Sequence, residues 1–381
     1  MPTFAARGAA DYRIERHVPD APNILSAMSI TGPPQEDVSR PLVDPEALER
    51  FLEDRLPGPG RLEVERHQAG HSNETFFLKR GEDEWVLRRP PRGAFLPTAH
   101  DVLREYRVLS ALANTNVRAP RPILACEDTS VIGVPFYLME RIHGQVIRDR
   151  LPPAFVQGPP EARAPIGEEL VDALAELHSV DWRSVGLEGF GKPTGYIARQ
   201  LKRWKGQLAL ATQFSRPLPD VERVGDWLAD HAPEQRPSTI VHGDYKLDNV
   251  SFAGEPPARL LSIFDWEMST IGDPLADVGW MISFWREPDD PPDIMHQETA
   301  VTRLPGFLPR QAILERYRER TGRAMTDIVF YTVLAVWKLA VLLEGSYARH
   351  LAGVTDDPFF AELEEGVPAL AGRAQELIDG G

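Results

Sequence analysis

The sequence predicts an α+β protein with two lobes, a small β-rich N-terminal lobe and a larger helical C-terminal lobe. Between residues 62 and 140, short apolar runs alternate with polar residues and are bounded by turn residues, as in strands. From Gly144 onward, apolar residues mostly recur at helical spacing. The 381 residues, 42% of them hydrophobic, give ample length for one large domain or two lobes. We place a tail and strap helix at 1–45, the N-lobe at 46–141 and the C-lobe at 142–381.

Charge and cysteine content narrow the class of protein. A net charge of −15 argues against general nucleic-acid binding, which depends on clustered Lys and Arg. The single cysteine, Cys126, excludes an intramolecular disulfide and a multi-cysteine metal site, so a reducing, cytoplasmic location is expected. No secretory signal is evident at the N-terminus. The most apolar stretch, 328–343, contains Lys338 and is short for a membrane span, so we expect a buried helix and no membrane partner.

The elements of the N-lobe follow from local signals. Residues 1 to about 40 lack sustained periodicity and are interpreted as a tail or surface strap. Residues 41–56 are expected to be helical, because Asp44 can cap a helix and Pro45 suits its first turn. A second helix is expected at 101–112. Strands are expected at 62–66, 74–79, 84–88 and 132–140, with turns at 70–73 and 81–83.

The C-lobe is predicted to be mainly helical, with two short strands. Helices are expected at 168–178, at 195–210 and, as one long helix or a helix pair, between Tyr331 and Tyr347. The strands are expected at 239–241 and 259–264. Residues 287–310 are proline-rich and loop-like.

The strongest chemical signal lies at the ends of these two strands. The first strand runs into His242-Gly243-Asp244, and Asn249 follows five residues after the aspartate. The second strand ends at another carboxylate, Asp265. Phosphoryl transfer needs such a set, because one carboxylate orients or deprotonates the attacking hydroxyl while a second carboxylate and an amide oxygen hold Mg²⁺ against the phosphates.

This pattern resembles the aminoglycoside phosphotransferase family, whose catalytic loop is itself similar to that of protein kinases. The positions that carry the resemblance are His242, Gly243, Asp244, Asn249 and Asp265, followed by the Gly-Asp-Pro-Leu-Ala-Asp run at 272–277. The resemblance implies a bilobal protein-kinase-like fold with ATP and Mg²⁺ as cofactors. It also implies that Asp244 is the catalytic base and that Asn249 and Asp265 bind the metal.

The same residues also admit structural roles. Asp244 and Asp273 would then cap turns, and His242 would satisfy a buried hydrogen bond. For His242 taken alone we expect support of the loop rather than proton transfer. Asp277 is expected to anchor a loop or helix.

The resemblance places the nucleotide site in the N-lobe, where the family usually pairs a strand Lys with a helix Glu. Here Arg88 occupies the strand position, Glu105 lies on the following helix, and Arg89 points to the opposite face of the strand. Arginine can bind phosphate through two N–H groups but is not interchangeable with lysine. The arginine is similar to that of the kinase-like domains fused to some acyl-CoA dehydrogenases. A surface ion pair is the structural alternative for Arg88 and Glu105.

Two further segments complete the implied nucleotide site. Ser72 and Asn73 lie in a turn where kinases place a phosphate-covering loop. We expect them either to contact phosphates or to form an ordinary turn. Residues 136–144 resemble the hinge between kinase lobes, which would direct the backbone of Glu140 and Ile142 toward adenine.

The implied acceptor is a small molecule that carries a hydroxyl group, bound in the helical lobe near Asp244. Residues 199–205 place four cations around Trp204, which would suit an anionic acceptor such as a hydroxyacyl group on coenzyme A. A solvated helix face with Trp204 in the core is the alternative. The remaining functions are an aminoglycoside or other antibiotic phosphotransferase and a catalytically silent nucleotide-binding protein on the same fold. A metal-dependent hydrolase has too few ligands in the sequence.

Overall fold

The structure, a computed structural model, describes residues 41–67, 73–91, 101–291, 301–354 and 357–380. The first lobe is a five-stranded antiparallel sheet with two helices, and the second lobe is mainly helical. The predicted α+β architecture is therefore confirmed. Ser72 and the predicted tail before residue 41 lie outside the described residues.

The N-lobe begins with a capped helix. The carboxylate of Asp44 accepts hydrogen bonds from the backbone N–H groups of Glu46 and Ala47 at 3.0 and 3.2 Å. Helix α1 (Pro45–Leu52) is shorter than predicted. Its Leu48 and Leu52 are buried in the core of the N-lobe, so α1 packs as part of this lobe.

The sheet has the strand order β1-β2-β3-β5-β4. Its strands are β1 (Glu63–His67), β2 (Glu74–Arg80), β3 (Asp83–Arg89), β4 (Pro122–Cys126) and β5 (Phe136–Glu140), and helix α2 (Val102–Leu112) lies between β3 and β4 in the chain. Sequence patterns missed β4, because Pro122 was taken as a break. A proline is tolerated there since it is the first residue of an edge strand, where its missing N–H breaks no central ladder.

The C-lobe contains two small sheets among its helices. Strand β6 (Gln145–Val146) pairs with β8 (Val250–Phe252), which pairs with β9 (Leu260–Ile263), and β7 (Thr239–Val241) pairs with β10 (Thr270–Gly272). The helices are α3 (Pro153–Gln157), α4 (Ala164–Ser179), α5 (Tyr196–Ala211), α6 (Pro219–Asp230), α7 (Leu275–Phe284), α8 (Arg310–Thr321), α9 (Ile328–Leu351) and α10 (Phe359–Gly380). Within the described part of the loop predicted at 287–310, the structure places short turns before α8.

Helix α9 forms the centre of the C-lobe and contacts α5, α6, α7 and α10. It is one helix of 24 residues and, among the residues described, is long and apolar enough by composition to cross a membrane. The helix extends beyond the predicted stretch at 328–343, so the argument from its short length does not hold, whereas the expected burial is observed. Its most apolar window is 61% buried by the surrounding helices, as in a core helix.

The lobes share a core at helix α2. Val108, Leu109 and Leu112 of α2 and Tyr137 of β5 belong to the same buried cluster as the C-lobe helices. The chain crosses between lobes after β5 and enters the small sheet of the C-lobe at β6. The exact domain limits predicted from sequence remain a prediction.

Candidate active site

The turn after β7 is fixed by a buried carboxylate. Asp277, in the first turn of α7, accepts hydrogen bonds from the backbone N–H groups of His242 and Gly243 at 2.7 and 2.8 Å. His178 contacts the same carboxylate through Nε2 at 3.2 Å. Burial alone would raise the pKa of Asp277, but these hydrogen bonds outweigh it and hold the pKa below its usual value. Asp277 therefore anchors the loop, as expected from sequence.

Gly243 is the residue that lets the loop turn. Its φ is +89°, and a Cβ at this position would lie 2.7 Å from the carbonyl oxygen of Met268. A side chain would therefore be both strained and in collision with backbone.

The imidazole of His242 joins the two strand ends that carry the predicted site. Its Nε2 lies 2.8 Å from the carbonyl oxygen of Phe264, and its Nδ1 lies 3.2 Å from the backbone nitrogen of Asp244. These contacts fit a neutral ring that donates through Nε2 and accepts at Nδ1. Both ring nitrogens are engaged with backbone, which agrees with the expected supporting role.

The carboxylate of Asp244 is held at both oxygens. Its Oδ1 accepts from the indole N–H of Trp280 at 2.7 Å, and its Oδ2 accepts from the side-chain amide of Asn249 at 2.7 Å. The same amide donates to the carbonyl oxygen of Asp244 at 2.7 Å. Because the Asn249 amide nitrogen serves Asp244, its Oδ1 is left as an acceptor for another group.

The predicted metal ligands lie on joined strand ends. The backbone N–H of Phe264, the residue before Asp265, donates to the carbonyl oxygen of Asn249 at 2.7 Å. Asp265 adopts a left-handed conformation with φ of 63°, and its side chain is 30% exposed. An amide oxygen and a partly exposed carboxylate are the hard oxygen donors that suit Mg²⁺.

These two donors would form a sparse protein site. Among the described residues, no group of three or more His, Cys, Asp or Glu side chains could hold a metal ion. Mg²⁺ commonly keeps several waters and binds through one or two protein groups together with substrate phosphates. The residues present therefore fit a magnesium ion that shares its coordination with a nucleotide.

Arg88 connects the N-lobe to the predicted metal ligand. Its guanidinium lies 3.2 Å from Asp265 Oδ1, 3.4 Å from Glu105 Oε2 and 3.2 Å from Thr75 Oγ1. Burial would lower the pKa of Arg88, but the charges of Glu105 and Asp265 outweigh it, so the pKa is raised and the cation is retained. The side chain of Arg88 is 14% exposed and that of Glu105 is 2% exposed, so this is not a surface ion pair.

The carboxylate of Glu105 accepts hydrogen bonds from two neighbouring side chains. It accepts from the Tyr137 hydroxyl at 2.9 Å and from the side-chain amide of Asn73. Burial raises the pKa of Glu105, and the charge of Arg88 opposes that rise. Asn73, predicted to contact phosphates or to form an ordinary turn, donates to Glu105, and its Oδ1 is buried with no hydrogen-bond partner.

The remaining predicted nucleotide contacts lie around the end of β5. The N–H of Glu140 donates to the carbonyl oxygen of Arg121 at 2.9 Å, so this N–H group is already engaged within the N-lobe. Ile142 is half-buried in the segment that crosses between lobes. Arg89 lies on the opposite face from Arg88, as predicted, and donates to the carbonyl oxygens of Leu42 and Pro90.

The cationic segment at 199–205 does not converge on one pocket. Arg199 donates to loop carbonyls at the start of α5, and Lys205 pairs with Asp226 at 2.7 Å. Trp204 is buried in the core, whereas Lys202 and Arg203 are exposed. This arrangement matches the alternative of a solvated helix face and weakens the argument for an anionic acceptor from this segment.

Sequence reasoning missed several residues that contact the site. They are Tyr137, Lys246 and Trp280. Lys338, the lysine that the sequence places in the apolar stretch at 328–343, contacts the site as well. Lys246 pairs with Asp248 at 2.8 Å, and the charge of Asp244 helps raise its pKa against the opposing effect of burial. Lys338 donates to the carbonyl oxygen of Gly243 at 2.7 Å. A lysine inside an apolar helix and a tryptophan three residues after Asp277 were the available signals.

A turn that carries Asp244, with Asn249 and Asp265 beside it, is similar in arrangement to the catalytic loop and metal-binding positions of protein kinases, and Arg88 lies where those enzymes have a lysine. Residues 63–319 match the model of the APH phosphotransferase enzyme family. The chain belongs to this family.

Curated relatives extend the comparison over most of the chain. It is 35% identical over 345 residues to acyl-CoA dehydrogenase family member 11 of Gallus gallus, covering 88% of this chain and 43% of that protein. It is 36% identical over 312 residues to family member 10 of Mus musculus, covering 81% of this chain and 28% of that protein. The chain thus spans less than half the length of these relatives.

Solved structures agree on the fold. A Ralstonia eutropha protein assigned as an aminoglycoside phosphotransferase matches with a TM-score of 0.76 and 33% identity over 88% of this chain and 98% of that one. Choline kinase from Cryptosporidium parvum matches with a TM-score of 0.61 over 88% of this chain and 97% of that one. At 14% identity, the second match shows the fold alone.

Proposed function

We propose that this phosphotransferase uses ATP and Mg²⁺ to phosphorylate a hydroxyl group of a small molecule in the cytoplasm, with a hydroxyacyl-type metabolite as the acceptor. The observation that carries the proposal is the arrangement of Asp244, Asn249 and Asp265. Their positions are linked by hydrogen bonds through one turn and two strand ends, and Arg88 contacts the last of them from the N-lobe.

In the proposed reaction, Asp244 orients the acceptor hydroxyl. The hydroxyl oxygen forms a bond to the γ-phosphorus while the bond from that phosphorus to the bridging oxygen breaks, and ADP leaves with the electron pair. The hydroxyl proton passes to the Asp244 carboxylate, late in a loose transition state. The half-buried position of this carboxylate gives it access to a bound acceptor.

Asn249 would hold Mg²⁺ through its amide oxygen Oδ1, and Asp265 would hold it through its carboxylate. The ion, when bound, supplies charge neutralisation of the phosphate oxygens. Arg88, oriented by Glu105, would neutralise charge that develops on the same phosphates. Because Arg88 contacts Asp265 at 3.2 Å in the structure, this contact must loosen or be shared when a nucleotide enters.

The hydroxyacyl acceptor is supported by the relatives rather than by the pocket. Two curated relatives named as acyl-CoA dehydrogenase family members align with more than four-fifths of this chain. Acyl-CoA chemistry in the longer proteins makes an acyl metabolite a reasonable acceptor. The cations at 199–205 add little, because Arg199 and Lys205 are engaged locally.

The nucleotide site is tested by thermal shift with ATP, ADP and GTP, with and without Mg²⁺. Binding to the folded state raises its stability by about 2.7 kcal/mol at a hundredfold excess over the dissociation constant. We expect a rise with Mg²⁺·ATP that Asp265→Ala abolishes and that Asp226→Ala, which removes an exposed carboxylate of α6, retains. No shift with any nucleotide at millimolar concentration would contradict an active kinase and favour a silent protein on this fold.

The acceptor is tested by ADP release in the presence of hydroxyacyl-coenzyme A compounds, free hydroxy acids and aminoglycosides. We expect turnover with the first class and its loss in Asp244→Asn. Turnover with aminoglycosides alone would overturn the acceptor assignment while leaving the nucleotide site intact.

A further inference from the structure

Trp280 contacts the proposed catalytic carboxylate directly. Its indole N–H lies 2.7 Å from Oδ1 of Asp244, and the Trp280 residue is only 4% exposed. An indole N–H can donate but cannot accept, so Oδ1 is the acceptor in this contact, and the ionised carboxylate is the stronger acceptor. A hydrogen bond to a charged group is among the stronger ones in proteins, and burial strengthens it further.

Lys338 fixes the tryptophan ring against the loop. Its ammonium lies 3.9 Å from the centroid of the Trp280 ring and donates to the carbonyl oxygen of Gly243 at 2.7 Å. A cation over an indole face at this distance is favourable, particularly where water is excluded. One side chain of α9 therefore holds both the ring and the residue that precedes Asp244.

Helix α7 supplies two separate supports of the same loop. Asp277 holds the loop through backbone N–H groups, and Trp280, three residues later on the same helix face, holds the side chain of Asp244. The first contact sets the path of the backbone. The second contact restricts rotation of the carboxylate, which Asn249 alone would hold through a single oxygen.

We propose that Trp280, fixed by Lys338, is a positioning residue that holds the Asp244 carboxylate in the orientation required to accept the acceptor proton. The inference rests on the proposed function, since it concerns the same carboxylate. A misaligned base lowers the rate of the chemical step without weakening nucleotide binding, because neither Trp280 nor Lys338 contacts Asn249 or Asp265 in any hydrogen bond described above.

The test is Trp280→Phe, which keeps an aromatic ring for Lys338 and removes the N–H group. Its matched control is Trp285→Phe, since Trp285 is also buried and donates its indole N–H at 2.8 Å, but to the carbonyl oxygen of Leu308. ADP release from Mg²⁺·ATP is measured with hydroxyacyl-coenzyme A and, separately, with water as acceptor. We expect kcat to fall about tenfold in Trp280→Phe, with KM for ATP within twofold of wild type, and kcat to stay unchanged in Trp285→Phe.

Two further measurements separate positioning from a general loss of structure. In an Asp244→Asn background, Trp280→Phe should change the residual rate less than twofold, because the carboxylate that Trp280 is proposed to orient is already absent. By NMR, one of the eight tryptophan indole N–H resonances should disappear in Trp280→Phe, and the same resonance should move in Asp244→Asn while that of Trp285 does not.

The outcomes are distinguishable. An active enzyme in which Trp280→Phe retains wild-type kcat, or in which Trp285→Phe loses as much activity, would overturn the positioning role alone. A wild type with no turnover would overturn the proposed function and the positioning role together, even where NMR shows the contact.

Discussion

Removing the Asp277 carboxylate should destabilise the whole protein, because it accepts hydrogen bonds from the buried turn that precedes Asp244. In Asp277→Ala, the backbone N–H groups of His242 and Gly243 lose their acceptors at 2.7 and 2.8 Å. Asp277 is fully buried. A buried donor left without a partner costs about 1 to 3 kcal/mol. His178 also loses its partner at 3.2 Å. We therefore expect a loss of about 3 to 5 kcal/mol of unfolding free energy.

The assay is urea unfolding of wild type and Asp277→Ala, followed by fluorescence and by circular dichroism. The control is Asp226→Ala, which breaks an exposed pair with Lys205 and should cost less than about 1 kcal/mol. The pKa of Asp277 lies below its ordinary value, so its contribution is complete above the unfolded-state pKa and is lost only as pH falls through the folded-state value. The difference from wild type should thus be constant between pH 6 and 8. A difference below about 1 kcal/mol would refute the reasoning.

Two further predictions concern buried charges. Arg88→Met leaves Glu105 buried beside its hydrogen-bond donors but without a cation, so we expect the free energy of unfolding to fall by about 3 to 5 kcal/mol. The double variant Arg88→Met with Glu105→Gln should be less destabilised than Arg88→Met alone. Additive losses in urea unfolding would contradict this. Burial lowers the pKa of Lys338 from 10.5 to about 8, so with rising pH the folded state loses this proton before the unfolded state does. The free energy of unfolding of the wild type therefore rises between about pH 8 and pH 10.5, by at most roughly 1.4 kcal/mol per pH unit. Lys338→Met should lack that gain, and a wild-type-minus-variant difference that is flat across pH 7 to 10 would show the prediction to be wrong.

The residues of the candidate site could be predicted from sequence because their spacing in the chain is short and chemically specific. His242, Asp244 and Asn249 occupy one turn after a strand, and Asp265 ends the next strand. Residues that follow two neighbouring strands lie close together because the strand ends are joined by backbone hydrogen bonds, here from Phe264 to Asn249. The same local logic identified the cap at Asp44 and the hairpin between β2 and β3.

Other features could not be read because they depend on neighbours distant in sequence. Strand β4 carries a proline that a central strand would not tolerate, and only its edge position makes it a strand. Asn73 sits where a phosphate contact was expected, yet it donates to Glu105, 32 residues further along the chain. The cations at 199–205 look like an anion site in the sequence, but Lys205 pairs with Asp226 of another helix, and Arg199 donates to carbonyl oxygens of the loop before α5.

The sequence by itself determined the two-lobed fold and the phosphotransferase family, since periodicity and a short ordered motif are properties of neighbouring residues. Tertiary structure alone decided which groups hold the motif in place. Trp280 and Lys338, 58 residues apart in sequence, meet at the turn that carries Asp244 because α7 and α9 pack side by side. Arg88 reaches Asp265 only because the lobes face each other. Burial depends on the whole fold and not on any one residue, and it raises the pKa of Glu105 and lowers the pKa of Lys338.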